Sequence, residues 1–181
     1  MNNDDAVKLT VRIVRDDHPE SPREDRTNLG SFFMKHRRYD FGDKDTECPD
    51  EPSEFEAWAK EEGAVYLPVF MYDHGGRTIN TTGFSCPWDS GQIGVIYATR
   101  ADMLECYMVK RITKKYRDMA ERDLKGQIAE LDQWLNGDIW GYVIEDAAGE
   151  HVDSCWGFYG IDYAKEEAAR ALADALEGAE A

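Results

Sequence analysis

Apolar and polar residues alternate along Val7-Lys-Leu-Thr-Val-Arg-Ile-Val14, with Val7, Leu9, Val11 and Ile13 on one side. That period of two is the signature of a half-buried strand. Ala64-Val-Tyr-Leu-Pro-Val-Phe-Met-Tyr72 is a second strand-forming run, interrupted by Pro68. Proline cannot donate to a ladder, so this strand is expected to lie near an edge or a bulge. Asp73-His-Gly-Gly76 supplies positive-φ positions for a hairpin turn and sends Arg77-Thr-Ile-Asn-Thr-Thr82 back antiparallel. Ile93-Gly-Val-Ile-Tyr-Ala98 reads as a further, buried strand. A second hairpin is expected from Ile139-Trp-Gly-Tyr-Val-Ile144, the turn at Ala147-Ala-Gly149 and His151-Val-Asp-Ser-Cys-Trp156.

Other segments carry the longer helical period. From Thr113 to Leu135, Tyr116, Met119, Ala120, Leu124, Ile128, Leu131 and Leu135 recur at three- and four-residue spacing, and Asn136-Gly137 closes the segment. Ala164, Ala168, Ala171, Leu172, Ala175 and Leu176 place one apolar face on an Ala-rich helix from Ala164 to Glu177. Ser53-Glu-Phe-Glu56 has the form of a capping box and predicts a helix over about 54–62, ended by Gly63; Thr99-Arg-Ala-Asp102 predicts a short helix through Tyr107. Residues 16–52 hold four of the six prolines together with Leu29, Phe32, Phe33, Met34 and Tyr39. So long a segment without structure is unusual in a compact domain, which predicts a short element near Phe32 to His36 pinned to the body. No repeat or linker interrupts the chain. The expectation is a single α+β domain over 1–181, with a mostly antiparallel sheet of about five strands, a long central amphipathic helix and a C-terminal Ala-rich helix.

Composition supports a real core, with five Trp, nine Tyr and seven Phe in 181 residues. No apolar run approaches the roughly 18 residues of a membrane helix. The opening Met1-Asn-Asn-Asp-Asp5 lacks the basic-then-apolar pattern of a signal peptide, so a cytoplasmic location is expected. The four cysteines, Cys48, Cys86, Cys106 and Cys155, are scattered without a C-x-x-C pair and read as free thiols, with no metal or cofactor implied.

Charge changes the picture more. The chain holds 21 Lys and Arg against 37 Asp and Glu, a net −16. Residues 1–62 carry −7 and residues 138–181 carry −9, while a basic run, Lys110-Arg-Ile-Thr-Lys-Lys-Tyr-Arg117, opens the central helix. Such a field repels phosphate backbones, which argues against direct nucleic-acid binding, and attracts basic protein surfaces. Solubility alone is the plain account of acidity, yet −16 is well beyond the roughly 2–8 charges that colloidal stability asks of a small domain. The basic run reads as a helix surface paired with neighbouring carboxylates.

Two Gly- and Trp-rich loops hold the candidate chemistry. Ser154-Cys-Trp-Gly-Phe158 echoes the string around the nucleophile of papain-like proteases, but the 26 residues after Cys155 contain no His or Asn, and an aromatic strand end packed on the core is expected instead. A dyad of His74 or His151 with Cys86 or Cys155, oriented by Asp73, Asp89 or Asp153, would need contacts that the chain order does not supply. The same residue types could ligate zinc, though without paired-ligand spacing. Asp89-Ser-Gly91 by itself reads as an Asx turn.

Asn28-Leu-Gly30, His36-Arg-Arg-Tyr39, Gly42-Asp43, Leu67-Pro-Val69, Tyr72-Asp-His-Gly75, Cys86-Pro-Trp-Asp-Ser-Gly-Gln92 and Cys155-Trp-Gly-Phe-Tyr-Gly160 span nearly the whole chain. In these strings the sequence resembles a family of small acidic proteins carried by phages, plasmids and integrative elements. The resemblance implies a mobile-element accessory protein and no particular chemistry. Short genes of such elements often act against host restriction or CRISPR systems, and acidic DNA mimics recur among their products. The resulting expectation is a non-enzymatic interaction protein that meets the basic groove of a host defence protein, through Glu145, Asp146, Glu150 and Asp153 with Trp88 and Trp156 as apolar anchors. The alternative is a small hydrolase or metal-dependent enzyme at His74, Cys86, Asp89 and Cys155. The sequence sets no oligomeric state.

Overall fold

The computed structural model describes residues 8–24 and 27–180, among which seven strands and four helices form. The class is α+β, and every strand pair is antiparallel. The strands do not share one sheet of about five, as their pattern led us to expect, but divide into sheets of three and four. Alternation marks which face of a strand is buried; it does not name the strand's partner, and here the first strand pairs with one some 130 residues later. The chain correspondingly forms two compact units: Met1–Glu20 with Gly137–Ala181, and Ser21–Asn136.

The larger unit contains β2 (Ser31–Met34), α1 (Pro52–Glu61), β3 (Val65–Asp73), β4 (Arg77–Asn80), β5 (Ser90–Ala98), α2 (Arg100–Cys106) and α3 (Lys114–Leu135), with strand order β2-β5-β3-β4. The helical stripe read from the sequence is the one buried: Ala120, Leu124, Ile128 and Leu131 of α3 pack with Phe32, Val69, Met71, Ile79 and Ile96 of the sheet. A smaller cluster of Phe55, Ala59, Ala64, Tyr97 and Cys48 forms where α1 meets β5, and Phe55 and Trp58 both lie edge-on to Tyr97. Burial pushes the Tyr97 phenol up to about 12 and also raises the Cys48 thiol.

Local signals set the helix starts. Thr99 and Asp102 form the expected capping box on α2. At α1 the start differs: Pro52 occupies the first turn and Glu51 is the N-cap, so Ser53 lies inside the helix and not at its cap. A proline already lacks the N–H that a cap would satisfy, and its fixed φ suits the first helical position. Pro68 sits where β3 pairs with β5 alone, since β4 joins only from Phe70, and a register shift follows between Val69 and Phe70. Both features expected of a strand proline are present.

The charged segment before α1 is pinned, as expected, by a largely buried ion pair. Arg23, its side chain 6 % exposed, donates Nε to Asp43 Oδ1 at 2.9 Å, Nη1 to Gln127 at 3.0 Å and Nη2 to the Gly30 carbonyl at 2.6 Å. Asp43 also accepts the Phe32 N–H at 2.8 Å. Gly30 has no room for a side chain, because a Cβ there would lie 2.2 Å from Leu124. The strings Asn28-Leu-Gly30 and Gly42-Asp43 are thus parts of one structural clip.

At the other edge of the sheet, Asp132 of α3 accepts the Ile79 N–H at 2.7 Å and the Thr78 hydroxyl at 2.8 Å. This occupies a donor of β4, an edge strand. Asp132→Ala is expected to cost about 1–3 kcal/mol by stranding that donor, and Asp132→Asn less, as measured by chemical denaturation.

The smaller unit orders β1 (Thr10–Arg15), β6 (Ile139–Glu145) and β7 (His151–Tyr159) as β1-β6-β7 beside α4 (Ile161–Glu180). Residue Val7 of the expected first strand lies outside the described residues. Tyr142, Ile144 and Ala168 are buried with Leu9, Val11, Ile13, Phe158 and Leu172 around them. Gly157, at φ +84°, carries the extra residue of a bulge that offsets β7 against β6. Trp156 therefore covers Gly141, where a Cβ would meet its ring at 2.4 Å, while Phe158 turns to stack on Tyr142 at 5.9 Å. Cys155-Trp-Gly-Phe158 lies on the strand expected of it, but of the four only Phe158 packs on the core, Cys155 and Trp156 being exposed.

Candidate functional site

Three of the strings singled out in the sequence, His36-Arg-Arg-Tyr39, Tyr72-Asp-His-Gly75 and Cys86-Pro-Trp-Asp-Ser-Gly-Gln92, meet at the β3–β4 turn of the larger unit. Asp73, the last residue of β3, donates its N–H to the Asp89 carbonyl at 2.9 Å, which ties the Cys86-Pro-Trp-Asp89 loop to the turn. Its carboxylate accepts the Tyr39 hydroxyl at 3.1 Å and forms an ion pair with Arg38. The Tyr39 ring is stacked parallel to His36 at 5.2 Å, and the Arg77 and Arg38 guanidinium carbons lie 4.9 and 5.4 Å from its centre. The result is a polar and aromatic corner centred on Asp73 and Tyr39. Sequence reasoning missed Arg38, Tyr39 and Arg77; the only signal was that His36-Arg-Arg-Tyr39 and Tyr72-Asp-His-Gly75 both hold mixed charge and aromatic residues in polar surroundings.

Of the set His74, Cys86, Asp89 and Cys155 that the alternative enzyme reading names, the structure brings together the first three. His74 Nδ1 lies 3.4 Å from Asp89 Oδ2, and Cys86 Sγ donates to the same oxygen at 3.6 Å. Asp89 is therefore engaged with the thiol and the imidazole and does not form the expected Asx turn, while Ser90 enters β5. Nucleophilic catalysis needs the imidazole between the thiol and the carboxylate, so that it can take the thiol proton while the acid orients it. Here the carboxylate is in the middle. His74, with a 70 % exposed side chain, stands on open surface, and the aromatic cleft of about 520 Å³ beside α1, lined by Phe33, Tyr66, Pro68 and Val95, does not include the trio. No group of three His, Cys, Asp or Glu among the described residues is placed to hold a metal ion.

Cys155 belongs to the smaller unit, where it is exposed on β7. His151 is paired with Ser154 Oγ at 3.0 Å. The four cysteines are free thiols, Cys48 alone being buried. In the folded protein at neutral pH, maleimide is expected to label exposed Cys106 and Cys155 and to spare Cys48 until denaturant is added, because burial both shields that thiol and disfavours its thiolate. Peptide mass spectrometry of labelled protein reads the order directly.

The β6–β7 hairpin presents its carboxylates unequally. Glu145 is bidentate with Arg12, at 2.8 and 3.2 Å, and that bond holds its carboxyl below the ordinary range. Asp146 accepts the Ala148 and Glu150 N–H groups at 2.8 and 2.9 Å and so builds the turn. Asp153 accepts the Tyr142 hydroxyl at 3.1 Å, and burial together with that bond pushes the Tyr142 phenol up to about 12. Glu150 is exposed with no hydrogen bond from its side chain among the described residues. Both aromatic anchors are accessible, Trp88 at 92 % and Trp156 at 46 %. In the basic run, Arg117 donates to the Gly63 and Ala64 carbonyls at 2.9 and 3.0 Å and Lys114 pairs with Asp118 at 3.1 Å.

The chain matches no family model, no curated protein and no solved structure. Fold and site together define an α+β protein with an open, aromatic and charged corner on one unit and a strongly acidic surface on the other. No described helix is long and apolar enough to cross a membrane.

Proposed function

We propose that this is a non-enzymatic interaction protein of a mobile genetic element, whose acidic smaller unit occupies the basic, nucleic-acid-binding groove of a host defence protein. The observation that carries the reading is charge left uncompensated inside one unit. Met1–Glu20 and Gly137–Ala181 hold 16 Asp and Glu against 5 Lys and Arg, a net −11 of the chain's −16. Three of those five cations, Arg12, Lys165 and Arg170, are already in ion pairs. Asp17, Glu20, Glu150, Glu166, Asp174 and Glu177 are exposed, and none is in an ion pair with a Lys or Arg among the described residues. Carboxylates in that state attract a basic groove and accelerate encounter, and half-exposed Trp156 supplies apolar contact.

Because Asp146 and Asp153 maintain the hairpin itself, recognition falls to Glu150 and the outer face of α4 more than to all four hairpin acids. A hydrolase or metal enzyme at His74, Cys86 and Asp89 has the less support, since the thiol there has no imidazole as its base.

Tagged protein mixed with host lysate tests the reading. Capture of nucleic-acid-binding proteins that elute near 1 M salt, where screening falls to roughly 3 Å, and that duplex DNA displaces, is expected. Partners that resist both salt and DNA would overturn it.

A further inference from the structure

We propose that the cleft beside α1 binds a small organic cation, its apolar body lying on the sheet and its charge meeting an aromatic and acidic rim. The cleft lies wholly within the larger unit, so this reading is independent of the acidic unit. Residues paired across a sheet share a face, and the register sets Phe33, Val95 and Pro68 in one row across β2, β5 and β3. The neighbouring row on that face is Ser31, Tyr97 and Tyr66. That row is the one α1 covers, with Phe55 and Trp58 on Tyr97 and Phe55 on Tyr66. Phe33, Val95 and Pro68 are left as the half-buried floor of a cleft of about 520 Å³. Sites for small ligands span about 300–1,000 Å³ and have apolar floors of this kind, with a few polar groups that orient the ligand.

The polar groups around the floor select the sign of the charge. Asp50 and Glu56 line the cleft, are exposed, and are in no ion pair among the described residues. The lining cation, Lys35, is turned to Glu51 at 3.4 Å, and the Gln92 amide donates to the Gly94 carbonyl at 3.2 Å. An anion would therefore face two carboxylates with the nearby donors already engaged, whereas a cation finds two acceptors of opposite charge. Aromatic rings favour the same sign. Phe55 and Tyr66 have centroids 5.0 Å apart and planes at 74°, and Phe33 lines the same cleft. The π faces of such rings attract an alkylated ammonium group, and more strongly where water is partly excluded.

Benzyltrimethylammonium, benzyl alcohol and benzoate, titrated to millimolar concentration at low salt and followed by amide chemical shifts in NMR spectra of the protein, test the proposal. The ammonium is expected to bind about tenfold more tightly than the alcohol, with its shifts concentrated on Phe33, Phe55, Tyr66 and Val95, and benzoate is expected not to bind. Asp50→Asn combined with Glu56→Gln should weaken the ammonium several-fold, and so should Tyr66→Leu. The two acid replacements keep the shape of exposed side chains, which keeps the test decisive if Tyr66→Leu proves unstable. Absence of shifts in the cleft, or shifts scattered over the acidic surface, would overturn the assignment. Alcohol or benzoate binding as tightly as the ammonium would overturn it too, as would unchanged ammonium binding in the double variant.

Discussion

Leu124→Asp is expected to unfold the larger unit. Leu124 is fully buried in the middle of α3, among Phe32, Ile96 and the other members of the main core, and its side chain fills the space that Gly30 leaves. An aspartate there loses the packing of the leucine and brings a carboxylate into a fully buried apolar site. Each effect is worth several kcal/mol, against a total stability for a domain of about 5–15 kcal/mol. Far-UV circular dichroism should show loss of the cooperative melt. A variant that melts like the wild type would remove α3 as the core helix.

The second large effect concerns the clip that fixes the segment before α1. Asp43→Ala leaves the buried Arg23 guanidinium with Gln127 and the Gly30 carbonyl as its partners among the described residues, and it strands the Phe32 N–H. Removing one member of a buried pair costs about 3–5 kcal/mol, because the remaining charge is uncompensated. Arg23→Met, which removes the charge and keeps the bulk, is expected to be the milder change. Urea denaturation of the two variants decides the matter: equal midpoints would mean that the pair contributes by packing alone.

How far the sequence disclosed this molecule depends on the range of the interactions involved. Elements whose signals are local were legible. The stripe of α3, the Thr99 capping box and the double consequence of Pro68 all follow from residues within a few positions of one another. Strand partnership was not, because alternation along β1 is equally compatible with any neighbour, and the separation into two sheets rests on pairs such as Val11 with Ile144. The candidate site divided in the same way. His74, Cys86 and Asp89 lie within 16 positions and do converge, but their order in space, with the carboxylate in the middle, is a matter of side-chain geometry. Arg38 and Tyr39 reach Asp73 across more than 30 residues, and no local pattern announces that contact. The acidic hairpin was visible as charge, whereas the structural work of Asp146 and Asp153 was not.

That last point dictates the measurement closest to the central claim. Glu150→Gln, Glu166→Gln, Asp174→Asn and Glu177→Gln together remove four exposed charges of the acidic unit without touching a hydrogen bond that holds it. Association of wild-type and neutralised protein with a captured nucleic-acid-binding partner is compared by surface plasmon resonance at low and physiological salt. Recognition by carboxylates predicts that the variant associates at least about tenfold more slowly at low salt, that its dissociation changes little, and that the gap narrows as salt rises. Association as fast as wild type at low salt would contradict recognition through the acidic unit.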